Sequence, residues 1–303
     1  MIGISTAWRA MGATSGEGLL TAMDESGVEA LELEYRISSP VFNQLVPLLR
    51  TSHRPITSIH NFCPTPPDVP PEKASGDLFS LASLDQDVRK EAIKWTTRTL
   101  EKANDLEVEV VVLHLGQVDM DTNLPEVRTA VFNKEITIEE ARLRLAGPVP
   151  ERQAKVPKHL DAVLFSLDRL VNAATRLHVQ LGLENRNHLR NIPTYEELDL
   201  ILQTFAGAPL GYWHDIGHAQ VGELIGGPSQ LETLEKYKGR TLGLHLHDTE
   251  GFRDHLAPGC GEVNFEGLAK HLKDIPRRVI EVSRRVTAEE VRQGVQLLQR
   301  IGL

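Results

Sequence analysis

The chain has 303 residues, with 42 Asp and Glu against 33 Lys and Arg, which gives it a formal net charge of −9. A polyanion would be repelled overall, so nucleic acid is not expected as a partner unless a local basic patch overrides this charge. No apolar run is long enough to span a bilayer, and the N-terminus lacks the basic and apolar regions of a secretory signal. Two cysteines, Cys63 and Cys260, do not make a disulfide framework, so we expect a cytoplasmic protein.

Short apolar runs alternate with helix-like segments along the whole chain. Eight runs have the length and composition of β-strands, and they cover 2–6, 30–35, 56–62, 108–116, 179–186, 210–218, 241–248 and 277–282. Capping boxes at 194–197 and 287–290 mark the starts of two intervening helices. Strand–helix alternation is typical of parallel strands with right-handed crossovers.

Eight such units predict a single α/β domain over residues 1–303, a (β/α)₈ TIM barrel, which needs about 250 residues. A doubly wound open sheet is the alternative, but no Gly-rich dinucleotide fingerprint follows the first strand.

Two segments that follow strands are longer than ordinary loops. The segment 61–77 contains five prolines, and the segment from 117 to about 156 is predicted to include a short extra helix. Both lie on the carboxyl-terminal side of their strands, where long excursions build and cover active sites in barrels. We predict that loop 61–77 covers the mouth and orders when substrate binds, because its prolines limit the entropy lost on closing.

Polar side chains recur on one face of the strands. In 241–248, Leu244 and Leu246 alternate with His245 and His247, and in a small barrel one strand face meets the helices while the other points into the lumen. The same alternation turns Leu31, Leu33 and Tyr35 outward and Glu32 and Glu34 inward. It places an inward acid or histidine at the ends of the third to eighth strands: His60, His114, Glu184, Asp215, His245 and Glu281.

Several carboxylates that converge on one mouth repel each other and are costly to bury unpaired. A divalent cation offsets their charge and accepts carboxylates and imidazoles as ligands, so the joint pattern predicts a metal site. A single inward histidine is more often a hydrogen-bonded core residue, and Glu32 and Glu34 are as well explained by ion pairs with arginines. Trp8, just after the first strand, is predicted to form a wall of the substrate pocket, with a core position as the alternative.

Four motifs carry a family resemblance: "LGLEN" at 181–185, "HDIGH" at 214–218, "HLHD" at 245–248 and "HLAPGCGEVNF" at 255–265. On these residues the chain resembles the xylose isomerase-like TIM-barrel superfamily. That group holds sugar isomerases, ketose 3-epimerases, inosose dehydratases and endonuclease IV-type apurinic/apyrimidinic endonucleases. The resemblance covers nearly the whole chain.

The epimerase-like members imply a metal held by Glu184, Asp215, His245 and Glu281. The endonuclease members imply further zinc ligands at His60, His114 and His255. The family's Asp-x-x-His pattern implies that His218 lies next to the metal, as a substrate contact or as a ligand to a further metal. The aspartate that this pattern has two residues before His255 is Arg253 here, with Asp254 adjacent. The chain therefore lacks one ligand of the three-zinc pattern that the endonuclease members have.

The leading hypothesis is a metal-dependent isomerase or epimerase of a sugar, sugar phosphate or polyol. The cation (Mn, Mg, Co or Zn) would polarise the substrate carbonyl, and Glu184 and Glu281 would exchange protons at carbon through an enediolate. The expected substrate contacts are Trp8, His60, His114, His218, His247 and His255.

Three alternatives remain open. An inosose-type dehydratase would use the same site. A zinc-dependent phosphodiesterase on abasic DNA is supported by the additional histidines and opposed by the acidic charge and by Arg253. A non-catalytic sugar-binding protein on the same scaffold is the third. The resemblance also implies a homo-oligomer as a possible assembly.

Overall fold

A computed structural model describes residues 1–303, and its main feature is a closed barrel of eight parallel strands. The strands in chain order are β1 Ile2–Ser5, β2 Ala30–Leu33, β3 Ile56–His60, β4 Val110–Leu113, β5 Gln180–Glu184, β6 Leu210–Asp215, β7 Thr241–Leu246, β8 Asp248–Glu250, β9 Arg253–Leu256 and β10 Arg278–Ile280. Strands β8 and β9 form a separate antiparallel hairpin after β7. The other eight close the barrel in the order β1-β10-β7-β6-β5-β4-β3-β2, so the predicted TIM barrel is confirmed.

Helices fill the connections between the strands and surround the barrel. They are α1 Gly16–Asp24, α2 Ser39–Ser52, α3 Gln86–Asp105, α4 Leu124–Phe132, α5 Ile138–Ala146, α6 Val149–Leu177, α7 Tyr195–Thr204, α8 Ile216–Leu224, α9 Gln230–Lys236, α10 Phe265–Leu272 and α11 Ala288–Arg300. Both predicted capping boxes are present, with Thr194 capping α7 and Thr287 capping α11. None of the helices has the length and apolar character needed to cross a membrane.

The segment after β4 is more helical than the sequence predicts. Instead of one short extra helix it forms both α4 and α5 before the long helix α6 begins at Val149. A small apolar cluster holds this excursion together and ties it to α8 and to the hairpin; its buried members are Leu124, Val127, Ala141, Leu145, Val221 and Phe252.

The main core lies between the barrel and its helices. Leu181, Leu183, Leu244 and Leu246 are fully buried there, as the alternation of β5 and β7 predicts. A second apolar layer fills the lower part of the lumen, and its members are Val110, Val112, Trp213 and Val279. The lumen is therefore packed below its carboxyl-terminal mouth.

Two glycines make room for the indole in this layer. A Cβ atom at Gly243 would overlap the Trp213 ring, and one at Gly182 would lie 3.2 Å from it. Gly182 and Gly243 thus stand at inward-facing positions of β5 and β7 because the Trp213 side chain, from the strand between them, fills the space there.

Candidate active site and metal centre

A cavity of about 380 Å³ opens at the carboxyl-terminal mouth of the barrel. It is lined by six of the residues singled out from the sequence, namely His60, His114, Glu184, His218, His255 and Glu281. Asp215, His245 and His247 are fully buried below and beside it. The barrel strand ends therefore bring most of these side chains to one site, and α8 and the hairpin strand β9 add His218 and His255.

Glu184, Asp215, His245 and Glu281 form the central group, and we refer to them as the tetrad. One ligand atom from each lies within 4.8 Å of the others. The Nδ1 atom of His245 lies 3.2 Å from Glu184 Oε1 and 3.1 Å from Glu281 Oε2, and it lies 3.6 Å from Asp215 Oδ2. Three carboxylates thus face one imidazole nitrogen.

The charges of the tetrad are strongly perturbed. Burial alone would raise the pKa of Glu184, but His114 and hydrogen bonds from His218 and His245 hold that pKa well below its usual value. Burial also opposes ionisation of Glu281, yet His245 and His255 lower its pKa to about 2. The carboxylates are therefore held ionised in a buried place by neighbouring positive charge, which an imidazolium or a bound cation can supply.

The donor set fits a divalent cation. Three carboxylates and one imidazole suit manganese, magnesium or cobalt as well as zinc. Glu184 Oε2 is buried and lies 2.8 Å from His114 Nε2 without a well-aligned hydrogen bond, so the protein leaves part of this carboxylate unsatisfied. The tetrad is the group of residues that would hold the ion.

Neighbouring side chains orient the tetrad. Glu32 lies 3.2 Å from His245 Nε2, and the Ser58 hydroxyl donates to Glu32 at 2.7 Å. A carboxylate on one imidazole nitrogen turns the other nitrogen towards a metal, an arrangement common around bound ions. Glu34 instead pairs with Arg36 at 2.8 Å. An ion pair with arginine was one explanation for both Glu32 and Glu34, and it holds only for Glu34.

His247 lies behind Asp215 and does not line the cavity, contrary to its expected role as a substrate contact. Its Nδ1 atom accepts the backbone N–H of His255 at 2.9 Å, which leaves the hydrogen on Nε2. Nε2 lies 2.9 Å from Asp215 Oδ1, so His247 donates to that carboxylate and fixes its position.

Two further groups of ligand-type side chains adjoin the tetrad. His60, His114 and Glu184 form one, and His218, His247 and His255 form the other, each with ligand atoms within 4.8 Å of one another. His114 Nε2 lies 2.8 Å from Glu184 Oε2, and His60 Nε2 lies 3.4 Å from the same oxygen. The sites suggested by the endonuclease resemblance are thus near the tetrad.

The loop 61–77 reaches the mouth with its last residues. Asp77 Oδ2 lies 3.2 Å from His114 Nδ1, and a Cβ atom at Gly76 would come within 2.8 Å of the His114 ring. Only glycine allows this close approach of the loop backbone to the histidine. The loop therefore forms part of the rim; its ordering on substrate binding stays a prediction.

Trp8 is not a wall of the pocket, and the sequence-based prediction is wrong on this point. Its side chain is fully buried in the main core, and its indole N–H donates to the carbonyl of Val286 at 2.8 Å. Ala7, its neighbour in the 3₁₀ turn Thr6–Trp8, lines the cavity, whereas Trp8 does not. The alternative that the sequence left open, a core position, is the correct one.

Other cavity residues were missed or placed on the wrong face. Tyr35 was expected to face the helices but lines the cavity, with its ring 5.2 Å from that of His60, because β2 ends at Leu33 and the alternation ends with it. Arg186, Arg36 and Arg284 also line the cavity. Arg186 could have been found from the sequence, because it stands two residues after Glu184 and residues two apart on an extended chain share a face.

The chain is similar in sequence to a curated protein. The chain is 29% identical over 198 residues to Uncharacterized protein MJ1311 of Methanocaldococcus jannaschii, over 64% of this chain and 56% of that relative's length. The chain thus spans little more than half of that curated relative.

Two solved structures show the same fold. A crystal structure of a D-tagatose 3-epimerase-like protein is similar over 99% of this chain and 96% of that one, with a TM-score of 0.68 and 22% identity. The structure of the IolI protein with a zinc atom covers 98% of this chain and 96% of its own, with a TM-score of 0.60 and 17% identity. The family model described as xylose isomerase-like TIM barrel matches residues 20–301, and the chain therefore belongs to the xylose isomerase-like TIM-barrel family.

Proposed function

We propose that the chain is a metal-dependent isomerase or epimerase of a sugar, a sugar phosphate or a polyol. One observation carries this proposal: Glu184 and Glu281 are the two members of the tetrad that line the cavity, while Asp215 and His245 lie below it. Their strands, β5 and β10, are separated in the barrel by β6 and β7, so the two carboxylates reach the cavity from different sides. The similar structures, which include a D-tagatose 3-epimerase-like protein, support the sugar substrate.

The two carboxylates supply the proton chemistry. A divalent cation in the tetrad would act as a Lewis acid on a carbonyl and its neighbouring hydroxyl. The lowered pKa values of Glu184 and Glu281 keep both carboxylates able to accept a proton at neutral pH. One would take the proton from carbon, and the other, after taking up a proton from solvent, would return that proton to carbon from its own side.

The cavity walls would orient the substrate. His60, His114, His218 and His255 present ring nitrogens that are suited to sugar hydroxyls. The cavity has only four hydrophobic lining residues among fifteen, which favours a ligand rich in hydroxyl groups over an apolar one.

A zinc-dependent phosphodiesterase on abasic DNA is the second candidate, and the two further ligand groups favour it. Against it stand the net charge of −9 and Arg253, which is exposed and pairs with Glu250 at 3.6 Å. A dehydratase would use the same carboxylates and the same carbanion, and only its product would separate it from an isomerase.

A pair of assays with metal-loaded protein tests the proposal. One measures deuterium uptake from heavy water into a panel of ketoses, aldoses and inososes, and the other offers a duplex with an abasic site. We expect deuterium at a carbon next to a carbonyl, no strand cleavage, and loss of the exchange in Glu281→Gln. Cleavage without exchange would overturn the proposal in favour of the phosphodiesterase, and loss of water from an inosose would favour the dehydratase.

A further inference from the structure

Arg186 lies inside the ligand group formed by His60, His114 and Glu184, which we call the second group. We infer that its guanidinium takes the place of a second metal ion there, so that the enzyme works with one ion in the tetrad. This inference rests on the proposed function, because it takes the tetrad as the occupied site. Arg186 is thus the residue that limits the site to one metal ion.

The contacts of the guanidinium are direct. Arg186 Nη1 lies 2.8 Å from His114 Nε2 and 3.6 Å from Glu184 Oε2, and Nη2 lies 3.5 Å from Asp77 Oδ2. Its side chain is only 16% exposed, so the charge is held within the site and not in bulk water. These are the same histidine nitrogen and carboxylate oxygen that an ion in the second group would need.

A guanidinium and a metal ion exclude each other at this place. The Asp77 carboxylate faces His114 Nδ1, which leaves Nε2 as the nitrogen that faces Arg186 and Glu184. Because Nη1 lies only 2.8 Å from Nε2, the guanidinium fills the space in which an ion would have to bind this nitrogen. The guanidinium also keeps its charge at all ordinary pH values, and two cations in a poorly solvated site repel strongly.

The remaining ligand group, formed by His218, His247 and His255, is closed in a different way. Both ring nitrogens of His247 are engaged, one by Asp215 and the other by the backbone N–H of His255. Asp254 Oδ1 lies 3.1 Å from His255 Nδ1 and occupies that nitrogen as well. Only the tetrad therefore brings three carboxylates together on one imidazole nitrogen.

The number of metal ions affects which reaction the site can catalyse. Two-metal sites, with ions about 3.5–4 Å apart, are typical of phosphatases and nucleases. A single ion beside a fixed guanidinium keeps one Lewis acid and adds N–H donors that line the same cavity. Arg186 thereby disfavours phosphodiester hydrolysis and leaves the two-carboxylate proton exchange available.

Metal content after dialysis against buffered zinc, measured by elemental mass spectrometry, tests the inference. We expect one ion per chain in the wild type and two in Arg186→Met, which removes the charge and keeps a long side chain. Arg284→Met is the matched control, since Arg284 lines the same cavity without contacting the second group, and it should stay at one ion. Arg186→Met combined with His114→Ala should return to one ion, which locates the added ion in the second group.

Each failure has a distinct meaning. Two ions in the wild type, of which Asp215→Asn loses only one, would overturn the role of Arg186 and leave the proposed function standing. No ion in the wild type would overturn both. One ion in folded Arg186→Met, checked by its thermal unfolding, would also refute the inference, and Arg186→Gln gives a second variant if the first does not fold.

Discussion

The lower and upper layers of the barrel lumen use the same inward faces of the same strands but hold opposite kinds of side chain. The lower layer has Val112, Gly182, Trp213, Gly243 and Val279, and the upper layer, two residues further along each strand, has His114, Glu184, Asp215, His245 and Glu281. A step of two residues is about 6.6 Å along a strand. Within that distance the lumen changes from apolar packing to a cluster of charges.

The two layers have different roles: the lower layer stabilises the barrel, and the upper layer provides its charged, reactive groups. The lower layer buries apolar surface and forms a dry floor, so it contributes to the free energy of unfolding. The upper layer consists of buried charges that repel or pair, and such groups add little net stability. We therefore expect substitutions in the two layers to affect different measurements.

Removal of the indole from the lower layer should have the largest effect. Trp213→Ala leaves a cavity at the centre of the lumen, and we expect it to lower the free energy of unfolding by about 3–5 kcal/mol. Urea unfolding followed by circular dichroism measures this change. A loss below about 1 kcal/mol would contradict the view that the indole fills the floor of the barrel.

Overpacking of the same layer is the next largest effect. In Gly243→Ala the new methyl overlaps the Trp213 ring, and we expect a loss of about 1–3 kcal/mol in the free energy of unfolding. Gly222→Ala is the matched control, because a Cβ atom there meets nothing within 4 Å in α8, and it should be neutral or slightly stabilising. Equal stabilities for the two variants would argue against the tight fit around the indole.

Trp8 belongs with the packed regions and not with the mouth. Trp8→Phe removes the N–H that bonds the Val286 carbonyl, and we expect a loss of about 1 kcal/mol in stability. The KM and kcat of the proton-exchange reaction should stay unchanged, because the ring does not line the cavity. A tenfold rise in KM would restore Trp8 as a substrate contact.

His188 should produce a small dependence of stability on pH. Burial, together with Arg128 and Arg186, lowers its pKa from 6.5 to about 4 in the folded protein. As the pH falls from 6.5 towards 4, the unfolded chain binds a proton that the folded one does not, so the free energy of unfolding falls. One proton sets a ceiling of about 1.4 kcal/mol per pH unit on this slope.

His188→Gln should flatten that part of the profile, measured by urea unfolding between pH 4 and 7. His53→Asn, which replaces an exposed histidine, is the control and should keep the wild-type slope. An unchanged profile in His188→Gln would show that other groups cause the loss at acid pH.

Sequence patterns were informative along each strand and for one residue beyond it, as His114 after β4 and Glu281 after β10 show, but not further. Alternation placed Glu184, His245 and their partners correctly because an extended chain turns its side chains to opposite faces in strict order. After the strand ends, the direction depends on the turn, which is why Trp8 and Tyr35 were assigned to the wrong surroundings.

Contacts between distant segments were beyond the reach of any local pattern. The approach of Asp77 to His114 depends on the path of the loop 61–77 over the mouth. The contact of Arg186 with the same histidine joins the loop after β5 to the end of β4. Neither contact has a sequence spacing that predicts it.

The affinity of Glu184→Gln and Glu281→Gln for a divalent cation, measured by calorimetry beside the wild type, tests the central claim most directly. The account predicts weaker binding in both variants and a loss of about 10²–10⁴-fold or more in turnover, with the fold retained. Glu34→Gln, which alters a buried carboxylate of the same mouth outside the tetrad, should keep the wild-type affinity. Unchanged affinity in both Glu184→Gln and Glu281→Gln would contradict the assignment of the tetrad as the metal site.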